Sequence, residues 1–325
     1  MVVVDSLNPN AHSGPPSYMN RGAEYLLVDV REPESWDRAA GMDAIIHLAG
    51  KVGLGKSFAD ATDYVDHNDV GMAVGLKRLY ELGSEAPIIL ASSMVVYGEG
   101  GYTCESDGTV HPDSRNLEAM QRGEFDPVCP DCGGPLTATP VPETARLEPR
   151  NVYAATKAHQ EHLLNAFADA TGVRAAALRF HNVYGSRMPA NNPYSGVAAM
   201  FASEALAGRP PKVFEDGQQI RDFVHVSDVA RSVVAALDNE RARGAFNIGS
   251  GNPRPIIDMA QAIVGATRSD QAPVITGGWR AGDVRHIFAD STRMRHELGV
   301  DGVPLEDGVQ DLLHGDLRPS AHEEG

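Results

Sequence analysis

A chain of 325 residues is long enough for one large α/β domain or two lobes around a sizeable core, and its 42% hydrophobic and 22% charged residues are those of an ordinary globular protein. The net charge of −16 argues against nucleic acid and anionic membranes as partners unless a local basic patch intervenes. No apolar run approaches the ~20 residues of a membrane helix, the start is too short for a signal peptide, and an odd count of 3 cysteines argues against a secreted disulfide framework, so a cytoplasmic protein is expected.

In chain order, short apolar runs predict strands at residues 2–5, 25–30, 44–49, 88–91 and 175–180. Between them, helical stretches are predicted at 33–40, 58–82 and 152–170. Apolar strands alternating with helices point to an α/β fold with a doubly wound parallel sheet. Residues 99–149 break the rhythm: they are rich in Gly, Pro, Asp and Thr, hold all 3 cysteines and carry no period that runs far, which predicts an insertion. Beyond Arg179 the pattern turns mixed, so residues 1–179 are expected to form the nucleotide-binding domain and 180–325 a smaller mixed α/β substrate lobe, with a polar, disordered tail from Gly315.

Tyr153 and Lys157 are four apart within a predicted helix, which puts both on one face. An ammonium beside a phenol is expected to lower the phenol's pKa, and such a tyrosine can take a proton from a sugar hydroxyl as hydride leaves the same carbon. The spacing alone is common and fits an exposed helix pair as well. Upstream, Ser93 ends an apolar strand in the run Ala91-Ser92-Ser93-Met94-Val95-Val96-Tyr97-Gly98, where a hydroxyl can orient the reacting oxygen.

Strand, Ser93, Tyr153 and Lys157 in this order resemble the extended short-chain dehydrogenase/reductases of the NAD-dependent epimerase/dehydratase type, whose Ser-x-x-x-Tyr-Gly and Tyr-x-x-x-Lys segments match residue by residue. The resemblance implies catalytic roles for Ser93, Tyr153 and Lys157. It implies that Asp5 ends the second strand and binds the adenosine ribose, favouring NAD over NADP, and that Asp29 meets the adenine. Leu48, Ala49 and Gly50 would pass under the cofactor, and Asn68 would support the active-site strand. Asn182, Arg221 and Arg280 would hold a nucleotide diphosphate sugar, two arginines accounting for an anion held by so acidic a chain. For His225 and Asp228 a structural role is favoured. A homodimer is expected.

The family opens with a strand, Gly-x-x-Gly-x-x-Gly and a helix, whose amides hold the cofactor's pyrophosphate. No such segment occurs here, and Met1 falls inside the second strand. Since the first strand is central in this topology, its absence predicts a gap in the sheet with exposed apolar edges. A start about 30 residues upstream, by analogy with family length, is expected; the alternative is a degraded, inactive relative. The chain as given is expected to fold poorly and bind NAD weakly.

Cys129-Pro130-Asp131-Cys132-Gly133 has the form of a zinc knuckle. With Cys104 it makes three candidate ligands for a structural zinc, Asp107 or His111 being the fourth; a fortuitous C-x-x-C is the alternative. Within the family, a cysteine-bearing insertion followed by residues 192–197 resembles the dTDP-L-rhamnose 4-epimerases. Dehydratases of the family carry Asp-Glu after the active-site hydroxyl, where this chain has Met94 and Val95, which cannot exchange protons. The expectation is therefore a nucleotide-sugar 4-epimerase acting on a dTDP-sugar through a transient 4-keto sugar. A 4-ketoreductase, a UDP-sugar 4-epimerase and an inactive binder are the alternatives.

Overall fold

A computed structural model describes residues 1–9, 12, 14–53, 58–190, 196–267, 270–315 and 317. Asn192 to Ser195 of the run compared with rhamnose epimerases, and the tail beyond Leu317, lie outside them.

The chain opens with β1 (Val2–Val4) and β2 (Glu24–Leu26), a 3-10 turn (Pro33–Gly41) and β3 (Ile45–His47). A helical run follows: α1 (Ala61–Tyr64), a π-helical stretch (Val65–Val70) and α2 (Gly71–Glu81). It leads to β4 (Ile88–Ser93). The predicted insertion then holds β5 (Gly101–Cys104), β6 (Gly108–Val110), α3 (Leu117–Gln121) and β7 (Leu136–Thr139). Next come α4 (Val152–Thr171), β8 (Ala175–Phe180) and β9 (Asn182–Tyr184). The second half carries α5 (Val197–Leu206), β10 (Lys212–Val213), β11 (Ile220–Arg221), β12 (Phe223–His225), α6 (Val226–Asp238), β13 (Gly244–Ile248), α7 (Ile256–Thr267), α8 (Thr292–Leu298) and α9 (Leu305–His314).

The central sheet runs β13-β8-β4-β3, all parallel. β4 is apolar on both faces because both are covered. Ile88 and Leu90 pack with Trp36, Met72, Leu79 and Leu164 on one side, while Ile89 joins Leu178, Phe246, Val233 and Met294 on the other. β1 and β2 form a separate parallel pair. Among the described residues no strand joins β1 to β3, and Leu27, Val28, Ile46 and Leu48 are exposed.

Two departures from the sequence reading matter for the site. The insertion is not a structureless loop: β6-β5-β7 is an antiparallel sheet, missed because strands of 3 or 4 residues are too short to show a period. The domains also do not divide at Arg179, since β13 returns to pair with β8, and α6 packs beside it in the same core. What remains, chiefly α5, α7 and α9, packs around a second cluster with Phe201, Met259, Ile263 and Leu312.

Candidate active site

The end of β4 and the start of α4 build the centre. Ser93 is the last residue of β4, and its Oγ accepts from Val95 N at 3.4 Å, turning the chain into a 3-10 segment. Asn151 caps α4 by accepting from Ala154 N at 2.8 Å, which places Tyr153 and Lys157 in its first two turns. The Ser93 hydroxyl lies near enough to the Tyr153 phenol to act on its acidity. Lys157 is buried and donates from Nζ to the Ala91 carbonyl at 2.9 Å. Burial holds the Lys157 ammonium down at about 8. Burial pushes the Tyr153 phenol up to about 12, with the Ser93 hydroxyl pulling the other way. The phenol thus departs from the lowered pKa expected beside a lysine: desolvation of the phenolate outweighs the pull of the Ser93 hydroxyl.

Beside this pair lies the platform after β3. Asn68, fully buried in the π-helical stretch, accepts from Lys51 N at 2.7 Å and donates to Lys51 O at 3.0 Å and Thr156 Oγ1 at 2.9 Å. It thereby ties the strand end to α4; π-helical turns frequently mark such positions. Leu48 and Gly50 are exposed and Ala49 half-buried. A Cβ on Gly50 would stand 2.9 Å from Asn68 Oδ1 and 3.6 Å from Lys157 Nζ, so only a bare backbone leaves this shelf open to a flat ring. Asp5 follows β1 and accepts from Leu7 N at 2.8 Å. Asp29 is held by Arg31, whose Nε and Nη2 donate to its two oxygens at 3.0 and 2.8 Å, keeping the carboxyl below its usual range. These residues fit a dinucleotide lying from β2 across to Tyr153. No described residue is assigned to its pyrophosphate.

The substrate side is less uniform than the sequence suggests. Asn182 opens β9, and its Oδ1, though buried, has no partner among the described residues. Arg221 is buried with its guanidinium on the carbonyls of Ile220, Val284 and Arg285 at 2.9, 2.7 and 3.0 Å. No carboxylate lies within 4.0 Å of it among the described residues; burial lowers its pKa, and the Asp283 charge offsets part of that. Arg280 is exposed, its guanidinium 5.1 Å from the Phe214 ring. Asp283 senses both arginines and Arg115; burial raises its pKa and the three cations offset that. Arg179, by contrast, belongs to a buried pair with Glu161 and lies under the site. Asp228 and His225 are structural: Asp228 accepts from Val303 N at 2.9 Å, and His225 meets Asp311 Oδ2 at 3.0 Å. Sequence reasoning missed Glu99, Arg115 and Arg150, which with Ser114, Gly282 and Asp283 line a cavity of about 250 Å³.

In the insertion, Cys104 Sγ and Cys129 Sγ each stand 3.2 Å from Asp107 Oδ2, and Cys104 Sγ lies 3.5 Å from Cys132 Sγ. All four ligand-type atoms fall within 4.8 Å of one another. Asp107, in the turn between β5 and β6, is the fourth member, and His111 is not part of the cluster.

A parallel sheet with a hydroxyl at one strand end and a Tyr/Lys pair on a helix packed beside it defines a short-chain dehydrogenase/reductase site. The chain matches the NAD dependent epimerase/dehydratase family over residues 2–117 and 129–249, the gap between the two stretches falling inside the insertion. It is similar to the dTDP-L-rhamnose 4-epimerase of Burkholderia thailandensis, at 36% identity over 323 residues, covering 96% of this chain and 86% of that protein. It also resembles the Thermotoga maritima UDP-glucose 4-epimerase solved with UDP-glucose, with a TM-score of 0.77 and 26% identity over 96% of this chain and 89% of the other. The fold is shared with the Thermus thermophilus UDP-glucose 4-epimerase complex with NAD, at TM-score 0.72 and 24% identity over 96% and 89% of the two chains. The chain belongs to the NAD-dependent epimerase/dehydratase family, and NAD is its cofactor.

Proposed function

We propose that the protein is a nucleotide-sugar 4-epimerase, with a dTDP-sugar of the L-rhamnose type as the favoured substrate. The observation that carries this is the grouping of Ser93, Tyr153 and Lys157 beside the open Gly50 shelf, with apolar Met94 and Val95 where dehydration would need acids. Similarity to the B. thailandensis enzyme supports the choice of sugar.

NAD, when bound, supplies a hydride acceptor at the sugar's C4 and returns the hydride later. With the bound cofactor's cationic ring and the Lys157 ammonium beside it, Tyr153 would be present as phenolate; its Oη would take the 4-hydroxyl proton and return it to O4 as hydride comes back to the opposite face of C4, a general base and then a general acid. Ser93 hydrogen-bonds the same oxygen and keeps it near the phenol. Lys157, anchored on Ala91, holds a positive charge next to the shelf. Arg221 and Arg280 grip the diphosphate, and Asn182 offers its free Oδ1 to the sugar nucleotide. The 4-keto sugar turns over in the pocket between the two hydride steps, so there is no net oxidation.

The second cofactor we propose is a structural zinc on Cys104, Asp107, Cys129 and Cys132. Zinc–sulfur bonds near 2.3 Å in a tetrahedron put neighbouring ligand atoms roughly 3.5–4 Å apart, a size that suits a cluster whose nearest pairs are 3.2 to 3.5 Å apart and whose four atoms all fall within 4.8 Å. Cysteines held outside any disulfide suit a reducing, cytoplasmic setting. The same proposal includes a homodimer and the division into an NAD-binding domain and a substrate lobe.

Incubation with dTDP-L-rhamnose tests the function. Proton NMR should show the C4 epimer accumulating to equilibrium with no net reduced cofactor consumed. Stoichiometric reduction of added NAD or NADP as the sugar is oxidised to its 4-keto form, with no C4 epimer, would instead mark a 4-ketoreductase running in reverse. Turnover of UDP-sugars alone would move the substrate to that nucleotide.

A further inference from the structure

The insertion does not stand free of the substrate lobe. Gly100, at its start, has φ +93° and lies so close to the His286 backbone that a Cβ there would clash. Arg115, between β6 and α3, is buried; it donates from Nη1 to Glu215 Oε1 at 2.8 Å and from Nε to the Asp283 carbonyl at 3.0 Å. The other Glu215 oxygen accepts from Arg285 Nη1 at 2.9 Å, and Arg285 Nε returns to Asp126 of the insertion at 2.7 Å. Glu99 Oε2 accepts from Arg285 N at 3.2 Å. The carbonyls of Val284 and Arg285, in the middle of this bracket, are the ones that hold the Arg221 guanidinium.

The three-stranded sheet of the insertion has only a small apolar core of its own. Its buried apolar cluster consists of Tyr102, Cys104, Val110 and Cys129, with Leu136 and Ala138 partly buried. A sheet of such short strands gains too little from burial to fix its turns unaided. A metal joining the β5–β6 turn to the knuckle at Cys129 and Cys132 would supply the missing constraint, since binding free energy at such sites is folding free energy.

We propose that the insertion is a metal-pinned positioning element for the diphosphate clamp. Zinc on Cys104, Asp107, Cys129 and Cys132 fixes the insertion, and Arg115 and Asp126 then fix the segment from Asp283 to Arg285 that sets Arg221. This rests on reading Arg221 and Arg280 as ligands of a nucleoside diphosphate. Arg115 is a positioning residue: it touches the clamp loop and is remote in role from proton transfer at Tyr153. Its loss should therefore weaken substrate binding and leave the chemical step alone.

The test compares wild-type protein, Arg115→Met, Arg115→Lys and wild-type protein stripped of metal with a mercurial and a chelator. Protein purified without added metal should contain zinc, and a metal-free isolate would overturn the proposal. Arg115→Met should raise both KM for dTDP-L-rhamnose and the calorimetric Kd for dTDP by about ten-fold or more, with kcat within about three-fold, and Arg115→Lys should recover part of the loss. Stripping should reproduce the rise in Kd. In both cases amide hydrogen exchange across residues 277–287 should quicken. A fall in kcat with KM unchanged, or unaltered exchange at 277–287 after either treatment, would sink it. If the wild type neither binds dTDP nor turns over the sugar, the epimerase reading fails, while the exchange measurement still decides whether the insertion holds the loop.

Discussion

Lys157 reaches from α4 to the end of β4 and donates its ammonium to the Ala91 carbonyl at 2.9 Å. The contact fixes a buried cation two residues before Ser93 and one helical turn after Tyr153. It also uses up one of the three ammonium donors, leaving two for a ligand on the Gly50 shelf. The phenol is held protonated: burial pushes Tyr153 up to about 12 in the protein alone. An ultraviolet titration of the cofactor-free protein should find this tyrosine un-ionised through the neutral range. Tyr153→Phe should then cost about 10²–10⁴-fold in kcat, the usual worth of a positioned acid/base, while calorimetric dTDP binding stays nearly unchanged. Turnover within a few fold of wild type would remove Tyr153 from the chemistry.

Arg221 poses a different problem, because its charge is buried on carbonyl oxygens with no carboxylate in ion-pair range among the described residues. Such a site gains most when an anion arrives. Arg221→Met should weaken dTDP binding by about 2–5 kcal/mol, the loss seen when one partner of a buried charge pair is removed. Arg280→Met should cost less, since Arg280 is exposed and solvent screens it. Calorimetry ranking the two the other way would mean that the rim arginine carries the diphosphate.

What was legible in the sequence is what is local. Ser93 ends a strand and begins a turn, and Tyr153 and Lys157 sit on one helical face, so a few neighbouring residues define them. Asn68 is placed by the helix that carries it. The choice between Asp107 and His111 was not legible, because it depends on how tightly the chain turns between β5 and β6. The bracket of Arg115, Glu215 and Arg285 was hidden for a stronger reason. Arg115 and Glu215 are 100 residues apart, and Glu215 and Arg285 are 70 apart, so no period or motif links them. The return of β13 to the central sheet is likewise a pairing between distant segments.

Arg179 shows how a residue inside a family motif can serve stability. It donates to the Glu161 carboxylate from Nε at 3.0 Å and Nη2 at 2.7 Å, and from Nη1 to Tyr97 Oη at 2.7 Å, all buried. Ser92 donates to the same carboxylate. Arg179→Met would leave a buried carboxylate with only the serine, at a cost of about 3–5 kcal/mol. Replacing both residues, Arg179→Met with Glu161→Leu, removes the stranded charge and should cost less than the single change. Urea unfolding of both variants checks this; a double variant less stable than the single one would show that the pair contributes by more than mutual compensation.

His47 ends β3 under the cofactor shelf and should make the fold sensitive to acid. Its ring is buried 5.5 Å from the Trp36 ring, its Nε2 lacks a partner among the described residues, and burial pushes its pKa down to about 3, with the Lys157 charge acting in the same direction. The unfolded chain, with an ordinary imidazole pKa of about 6.5, binds a proton that the folded chain refuses. Between these two values the unfolded state holds more protons, so stability falls as pH falls through that window and is restored above it. The slope for one such group is at most about 1.4 kcal/mol per pH unit, or on the order of 2 kcal/mol between pH 6.5 and 5. His181, also buried with a lowered pKa, acts in the same sense, so His47 accounts for only part of the total. His47→Phe keeps a ring against Trp36 and cannot titrate. Urea midpoints at pH 7 and pH 5 should therefore fall less for His47→Phe than for wild type. An equal fall in both would mean that His47 is already protonated, or solvated, in the folded protein.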